Sequence, residues 1–236
     1  MSVGIMEMVC VLAGALPAFV LLSYVYKKDK AEKEPIGLLL SLLVQGAIAV
    51  ILSLIFETIG DKVVSSVLDP ETSWYWIVFA FLVVAAVEEG SKFFLLKRKT
   101  WNNPNFNYRF DGIVYAVFVS LGFAGIENIG YVLGYGLSIA PTRALLSVPG
   151  HMVFAVYMGY YYGRARWFAN YGYQKESQSS LIYSLLSSIF YHGFFDACLM
   201  IGSDLAFTLF IIFVAVTYLR AFLTVRKESN TDAPII

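Results

Sequence analysis

Five charged side chains and two histidines lie inside apolar stretches that are long enough to cross a membrane. They are Glu88, Glu89, Lys92, Glu127, Asp196, His151 and His192. A charged side chain at the centre of a bilayer costs about 2.5 to 3.5 kcal/mol on insertion scales. The five charges would together cost on the order of 10 kcal/mol if isolated, which is comparable with the whole stability of a protein. We therefore expect these groups to be paired, neutralised or hydrated.

The spacing of these residues indicates that they share helix faces, because residues four apart on a helix are neighbours. The pairs at this spacing are Glu88 with Lys92, His192 with Asp196, and Phe123 with Glu127, followed by Tyr131. At about 1.5 Å per residue, the groups fall in one band between the middle of the membrane and its outer leaflet. The sequence predicts a polar site shared by several helices. The alternative is that the polar groups only join helices to each other.

The residue types favour hydrolysis by activated water. Two adjacent carboxylates in an apolar interior do not easily both ionise, and a nearby lysine favours the charge on one of them. Such a carboxylate can act as a general base for water. A histidine one turn from a carboxylate is an oriented imidazole that can bind a metal, transfer a proton or stabilise an oxyanion. The candidate catalytic residues are Glu88, Glu89, Glu127, His151, His192 and Asp196, supported by Lys92 and Asn128.

Two mechanisms are open at this point, one with zinc as cofactor and one with none. In the first, zinc has three protein ligands and an open position, and a glutamate serves as base. The ligands would be His151, His192 and an acidic residue, either Glu127 or Asp196, with Glu88 or Glu89 as base. In the second, a glutamate activates water directly, and the histidines with Asp196 or Asn128 stabilise the tetrahedral intermediate. The zinc signature HExxH is absent from the sequence.

The composition is that of an integral membrane protein. The chain is 58% hydrophobic and 14% charged, against about 45 to 50% and 25% for a soluble domain. We expect residues 1–236 to form a single transmembrane domain that has the lipid bilayer as its surroundings. Net charge is zero and no basic patch follows a helix face, so nucleic acid is not an expected partner. Cys10 and Cys198 fall inside predicted spans and are interpreted as packing residues; the sequence does not tell whether they interact.

Seven stretches are long enough to span a bilayer as helices, so the predicted fold class is an all-α polytopic bundle. They run from 4 to 26, 36 to 56, 74 to 96, 112 to 134, 144 to 163, 181 to 201 and 205 to 225. Fourteen basic residues fall on one side of this arrangement, whereas only Lys62 and Arg143 fall on the other, together with Glu57 and further acids. Basic loops stay in the cytoplasm. The N-terminus is therefore predicted outside and the C-terminus inside.

Four blocks of the sequence together resemble the PrsW family of bacterial intramembrane proteases, and more distantly the CAAX prenyl-protease group. The blocks are VEEGSKFF, FDGIVYAVFVSLGFAGIENIGYVLGYG, RALLSVPGHMVFAVYMGYYYGRAR and YHGFFDACL. The likeness extends to LLSYVYKKDKAEKEP and so covers most of the chain. It places the family's motif residues on Glu88, Glu89, Lys92, Phe123, Glu127, His151, His192 and Asp196.

This resemblance implies a multi-pass protease in the bacterial cytoplasmic membrane. Its substrate would be a single-pass membrane anti-sigma factor, which it would cut first, on the extracytoplasmic side. An alternative reading is a proton or ion transporter, because chains of intramembrane Asp, Glu and His also form relays. That reading predicts acids spread across the membrane or an internal repeat, and neither is visible in the sequence.

Overall fold

Seven helical rods make up the computed structural model, which describes residues 3–235. They are α1 (Val3–Lys28), α2 (Ile36–Val67), α3 (73–100), α4 (Asp111–Tyr135), α5 (Leu137–Asn170), α6 (Gln174–Ile201) and α7 (Asp204–Asn230). Within residues 3–235 there is no strand beyond one isolated bridge between Tyr108 and Pro234. The all-α bundle predicted from the sequence is confirmed.

Six of the seven rods are long and apolar enough to cross a membrane. The remaining rod, α3, is also continuous, and it is less apolar because Glu88, Glu89 and Lys92 lie in its second half. Large apolar side chains face outward from the bundle, for example Phe19 at 68% and Leu82 at 63% exposure. Such a surface requires lipid. The protein is thus a multi-pass membrane protein.

All seven helices extend beyond the spans predicted from apolar content, and in two of them the extension contains a charged residue that matters for the site. The second rod continues to Val67, past the predicted end at residue 56, and α5 begins at Leu137 rather than at residue 144. A helix continues wherever its backbone hydrogen bonds are satisfied, whereas an apolar window ends at the first charges. As a result, Glu57 and Arg143 lie on helices and not in the outer loops to which the sequence assigned them.

The fourth helix is the centre of the bundle. In its most apolar window 72% of the residues are buried, against 17% for α1, which lies at the periphery. The backbones of α2 and α4 are in direct contact. A Cβ atom on Gly46 would lie only 2.1 Å from the carbonyl oxygen of Val119, so this contact requires glycine. Cys10 and Cys198 are both buried free thiols, and they form no disulfide with each other.

The loop between α1 and α2 buries two carboxylates at the end of the bundle that carries the basic loops, here called the basic end. Asp29 is 1% and Glu34 is 3% exposed. The Glu34 backbone N–H donates to Asp29 Oδ2 at 3.2 Å, and the Tyr115 hydroxyl donates to Glu34 Oε2 at 2.6 Å. Burial, with smaller contributions from neighbouring carboxylates, raises the pKa of Asp29 to about 6 and the pKa of Glu34 to about 7.

We expect the protein to become less stable as the pH rises through these values. The folded state binds the protons of Asp29 and Glu34 more tightly than the unfolded chain does. The stabilisation that this binding gives is complete below the ordinary carboxyl pKa of about 4. It is lost as the pH rises past about 6 to 7. The Tm in detergent should fall between about pH 5 and about pH 8. Glu34→Gln should flatten this slope, whereas Glu176→Gln, at an exposed site, should leave it unchanged. An identical slope in Glu34→Gln would contradict the prediction.

Candidate active site

Lys92 is the cation at the centre of the polar site. Its Nζ donates to Glu88 Oε2 at 2.9 Å and to Glu89 Oε1 at 2.8 Å. The same atom lies 3.3 Å from His151 Nδ1 and 3.8 Å from the centre of the Phe123 ring. Glu89 and Lys92 are 0% and 1% exposed. The two adjacent carboxylates are therefore compensated by one ammonium group inside the bundle.

Each histidine bridges this centre and an outer carboxylate. His192 Nδ1 lies 3.0 Å from Glu89 Oε1, and His192 Nε2 lies 3.2 Å from Asp196 Oδ2. His151 Nδ1 faces Lys92, and His151 Nε2 lies 3.2 Å from Glu127 Oε2. The centroids of the two imidazole rings are 5.3 Å apart. Both rings thus point Nδ1 toward α3 and Nε2 toward a carboxylate that can fix the tautomer.

Arg143 closes the side of the site that lies away from the basic end, although the sequence placed it in an outer loop. Its Nη2 donates to Glu127 Oε2 at 2.9 Å and its Nε donates to Asn128 Oδ1 at 2.8 Å. Its guanidinium also stacks 3.8 Å from the centre of the Tyr131 ring. Sequence reasoning missed Arg143 because it lies eight residues before His151, about 12 Å along the helix. The two residues meet only through Glu127, which comes from another helix.

Irregular helix geometry and close helix packing place the site residues of α3, α5 and α6 next to one another. Two segments with π-helical hydrogen bonding lie at the site. Phe79–Ala85 in α3 comes just before Glu88, and Arg143–Ser147 in α5 begins with Arg143 and comes just before His151. Such segments recur at functional sites in membrane and soluble proteins. A Cβ atom on Gly193 would lie 2.5 Å from the Phe81 ring. Glycine at this position therefore lets α6 approach α3 closely enough for the adjacent His192 to reach Glu89.

A cavity of about 350 Å³ lies beside this network. It is lined by Glu57, Phe79, Val84, Glu88, Glu127, Tyr131, Arg143, Ser147, His151, Phe154, His192, Phe195, Asp196, Leu199 and Met200. Its volume lies at the low end of the range of ligand pockets, about 300 to 1,000 Å³. The structure therefore brings five of the six candidate catalytic residues to one cavity. The sixth, Glu89, lies behind the wall with Lys92, and Asn128 supports Arg143 from behind.

Four of the candidate residues could together hold a metal ion. Ligand atoms of Glu88, Glu89, His151 and His192 all lie within 4.8 Å of one another, and all four residues are buried. Imidazole nitrogen and carboxylate oxygen are ligands that zinc accepts, and ligating histidines usually donate their other N–H to a carboxylate. Glu127 and Asp196 are placed for that second role. The group therefore offers the donor atoms of a divalent-metal site. Because Lys92 Nζ lies 2.8 to 3.3 Å from atoms of Glu88, Glu89 and His151, a bound metal would take the place that this ammonium holds. The group does not contain Glu127, which the sequence offered as a ligand.

Comparison with known proteins identifies the family of the chain. Residues 34–221 match the family described as PrsW family intramembrane metalloprotease. The chain belongs to the PrsW family. The matched range contains every residue of the site described above, and the resemblance noted in the sequence is confirmed.

Individual relatives match over most of their length. The protease PrsW of Geobacillus kaustophilus strain HTA426 is 36% identical over 190 residues, which is 80% of this chain and 78% of the relative. The protease PrsW of Oceanobacillus iheyensis is 32% identical over 219 residues, covering 93% and 96%. The protease PrsW of Bacillus subtilis strain 168 is 34% identical over 184 residues, covering 78% and 79%. No solved structure shows significant similarity. The chain is thus an intramembrane protease of the PrsW family in a bacterial membrane.

Proposed function

We propose that this PrsW-family member makes the first, outer-side cut in a single-pass membrane anti-sigma factor, by water activated at the Glu88, Glu89, His151 and His192 group. The observation that carries the proposal is the convergence of two carboxylates and two imidazoles from three helices beside one cavity. The position of that cavity supports an outer cut. Its lining includes Leu199 and Met200 at the end of α6, and that end lies opposite the basic end, where α6 begins.

Zinc is the metal that this donor set suits best, with His151, His192 and Glu89 as its three holders and Glu88 left free to act as base. When bound, zinc would polarise the scissile carbonyl and make water a better nucleophile at neutral pH. Two carboxylates of the chain orient the histidine rings that would hold the metal. Glu127 and Asp196 lie 3.2 Å from the Nε2 atoms of His151 and His192, where each can accept an N–H and so fix the tautomer that would present Nδ1 to a metal. In the structure, His151 Nδ1 faces the ammonium of Lys92, and His192 Nδ1 faces Glu89 Oε1.

Glu88 is the glutamate that can meet substrate, since it lines the cavity whereas Glu89 is fully buried. In the proposed step, water forms a C–O bond with the scissile carbonyl carbon and gives its proton to Glu88. Glu88 then returns the proton to the amine as the C–N bond breaks. Lys92 keeps the Glu88 side chain oriented through its 2.9 Å hydrogen bond. This proton path is the same with zinc or without it.

Reconstitution in proteoliposomes tests the proposed function. The purified protein is combined with each single-pass anti-sigma factor of the source bacterium, and products are mapped by mass spectrometry. We expect one product cut on the outer side of the substrate's transmembrane helix. No cut in any of these substrates, or a cut on the basic-end side only, would reject the proposal.

Metal analysis of the same preparation tests the cofactor. We expect about one zinc per chain, as for a catalytic site, and loss of both zinc and cleavage on treatment with 1,10-phenanthroline. His192→Ala should purify without zinc, whereas Glu176→Gln, at an exposed position, should retain it. Full cleavage by a preparation with less than about a tenth of an equivalent of zinc would reject the metal and leave the glutamate mechanism.

A further inference from the structure

Glu57 is a carboxylate of the cavity that the mechanism above does not use. It lies on α2, and its Oε1 atom is buried without a hydrogen-bond partner among residues 3–235. The other three carboxylates that line the cavity each have a cationic or imidazole partner. These pairs are Glu88 with Lys92, Glu127 with Arg143, and Asp196 with His192. Among the carboxylates that line the cavity, Glu57 is therefore the one that forms no ion pair with any residue in 3–235.

The electrostatic surroundings of Glu57 favour a further cation. Glu57 shares the cavity with three other carboxylates, those of Glu88, Glu127 and Asp196. Arg143 is not available to it, because its guanidinium is held by Glu127, Asn128 and the Tyr131 ring. A half-buried carboxylate without an ion-pair partner either keeps its proton or bears a desolvation penalty when it is ionised. A positively charged group brought by a ligand would remove that penalty.

The rest of the cavity wall suits a long basic side chain. Phe79, Leu199 and Met200 supply apolar surface beside the carboxylates. Lysine and arginine bury their alkyl stems along such surface and direct the charged head to a polar partner. Because the cavity lies toward the end opposite the basic loops, the segment it would receive is the part of a single-pass substrate just outside the membrane.

We propose that Glu57 is a specificity-determining residue whose carboxylate binds the ammonium or guanidinium group of a basic substrate residue close to the scissile bond. This inference rests on the proposed function, since it names the side-chain class that the same cavity selects. It assigns Glu57 no part in bond cleavage itself.

Peptide binding tests the proposal without requiring turnover. Blocked, fluorescent octapeptides of leucine and alanine carry one lysine at each position in turn, and matched peptides carry norleucine there instead. Fluorescence anisotropy measures their Kd for the purified protein in detergent. Wild type should bind the best lysine peptide at least about tenfold more tightly than its norleucine match. Glu57→Gln should reduce that preference below about twofold, and Glu57→Lys should favour glutamate peptides instead.

The matched control is Glu71→Gln, which makes the same change at an exposed position in the loop after α2 and should keep the tenfold preference. Equal affinities of lysine and norleucine peptides for wild type, including no measurable binding of either, would overturn the proposal. A lysine preference that persists in Glu57→Gln would overturn it as well. A Glu57-dependent preference in a protein that cuts no anti-sigma factor would support the subsite while rejecting the proposed substrate.

Discussion

Glu88→Gln is expected to lower the rate of substrate cleavage by at least about a thousandfold, because it removes the general base of the proposed mechanism. The substitution keeps the shape of the side chain and leaves an amide oxygen that can still accept from Lys92. The fold should therefore persist, and the loss should appear in kcat. The measurement is the initial rate in proteoliposomes at equal protein, with size-exclusion chromatography as a check on folding.

Two comparisons make this result specific. Glu89→Gln should lose activity to a similar extent, because Glu89 Oε1 contacts both Lys92 Nζ and His192 Nδ1, although it does not line the cavity. Glu176→Gln, the exposed counterpart, should cleave at the wild-type rate. Retention of more than about a tenth of wild-type activity in Glu88→Gln, well short of what loss of a general base costs, would contradict the assignment of Glu88 as base.

Lys92→Met is expected to reduce the free energy of unfolding by about 3 to 5 kcal/mol, the usual cost of removing one partner from a buried ion pair. It leaves Glu88 and Glu89 adjacent to each other without the ammonium that contacts both of them at present. A loss of this size is a large part of a typical stability of about 5 to 15 kcal/mol. The measurement is unfolding of the purified protein by increasing SDS fraction in mixed micelles.

A charge-balanced double variant separates this effect from lost packing. Lys92→Met combined with Glu89→Gln removes one positive and one negative charge, so most of the stability should return while cleavage stays absent. Lys99→Met, at an exposed position on the same helix, should unfold like wild type. If Lys92→Met were as stable as wild type, the two carboxylates would not depend on Lys92, and the central role given to its ammonium would be wrong.

The helical bundle and the shared polar site could both be predicted from the sequence. Polar backbone groups and charged side chains are costly in lipid, so the backbone must form helices and the charged side chains must lie together. The pairs at a spacing of four also follow from helix geometry, and the structure shows them for Lys92 with Glu88 and for His192 with Asp196. What spacing cannot give is the contact between helices. That Glu89 contacts His192, and that Glu127 lies on the far nitrogen of His151, depends on packing between rods.

Glu57 and Arg143 were assigned to outer loops for a related reason. Counting apolar residues locates the part of a helix that lies in hydrocarbon, but it says nothing about where the helix itself ends. Glu57 and Arg143 both lie on parts of their helices outside the predicted apolar spans, and the side chains of both line the cavity. Orientation of the two termini across the membrane remains a prediction from the distribution of basic residues.

Because of the wide turns at Phe79–Ala85 and Arg143–Ser147, we expect activity to depend on the number of residues in these helices as well as on residue type. Loss of one residue from such a turn would restore ordinary helical winding and rotate everything after it by about 100°. Applied to the first turn, that rotation would swing both glutamates out of the interior while every residue of the motif was still present. Evolution could therefore separate an active protease from an inert homologue by a single-codon deletion, which an inspection of motif residues alone would not detect.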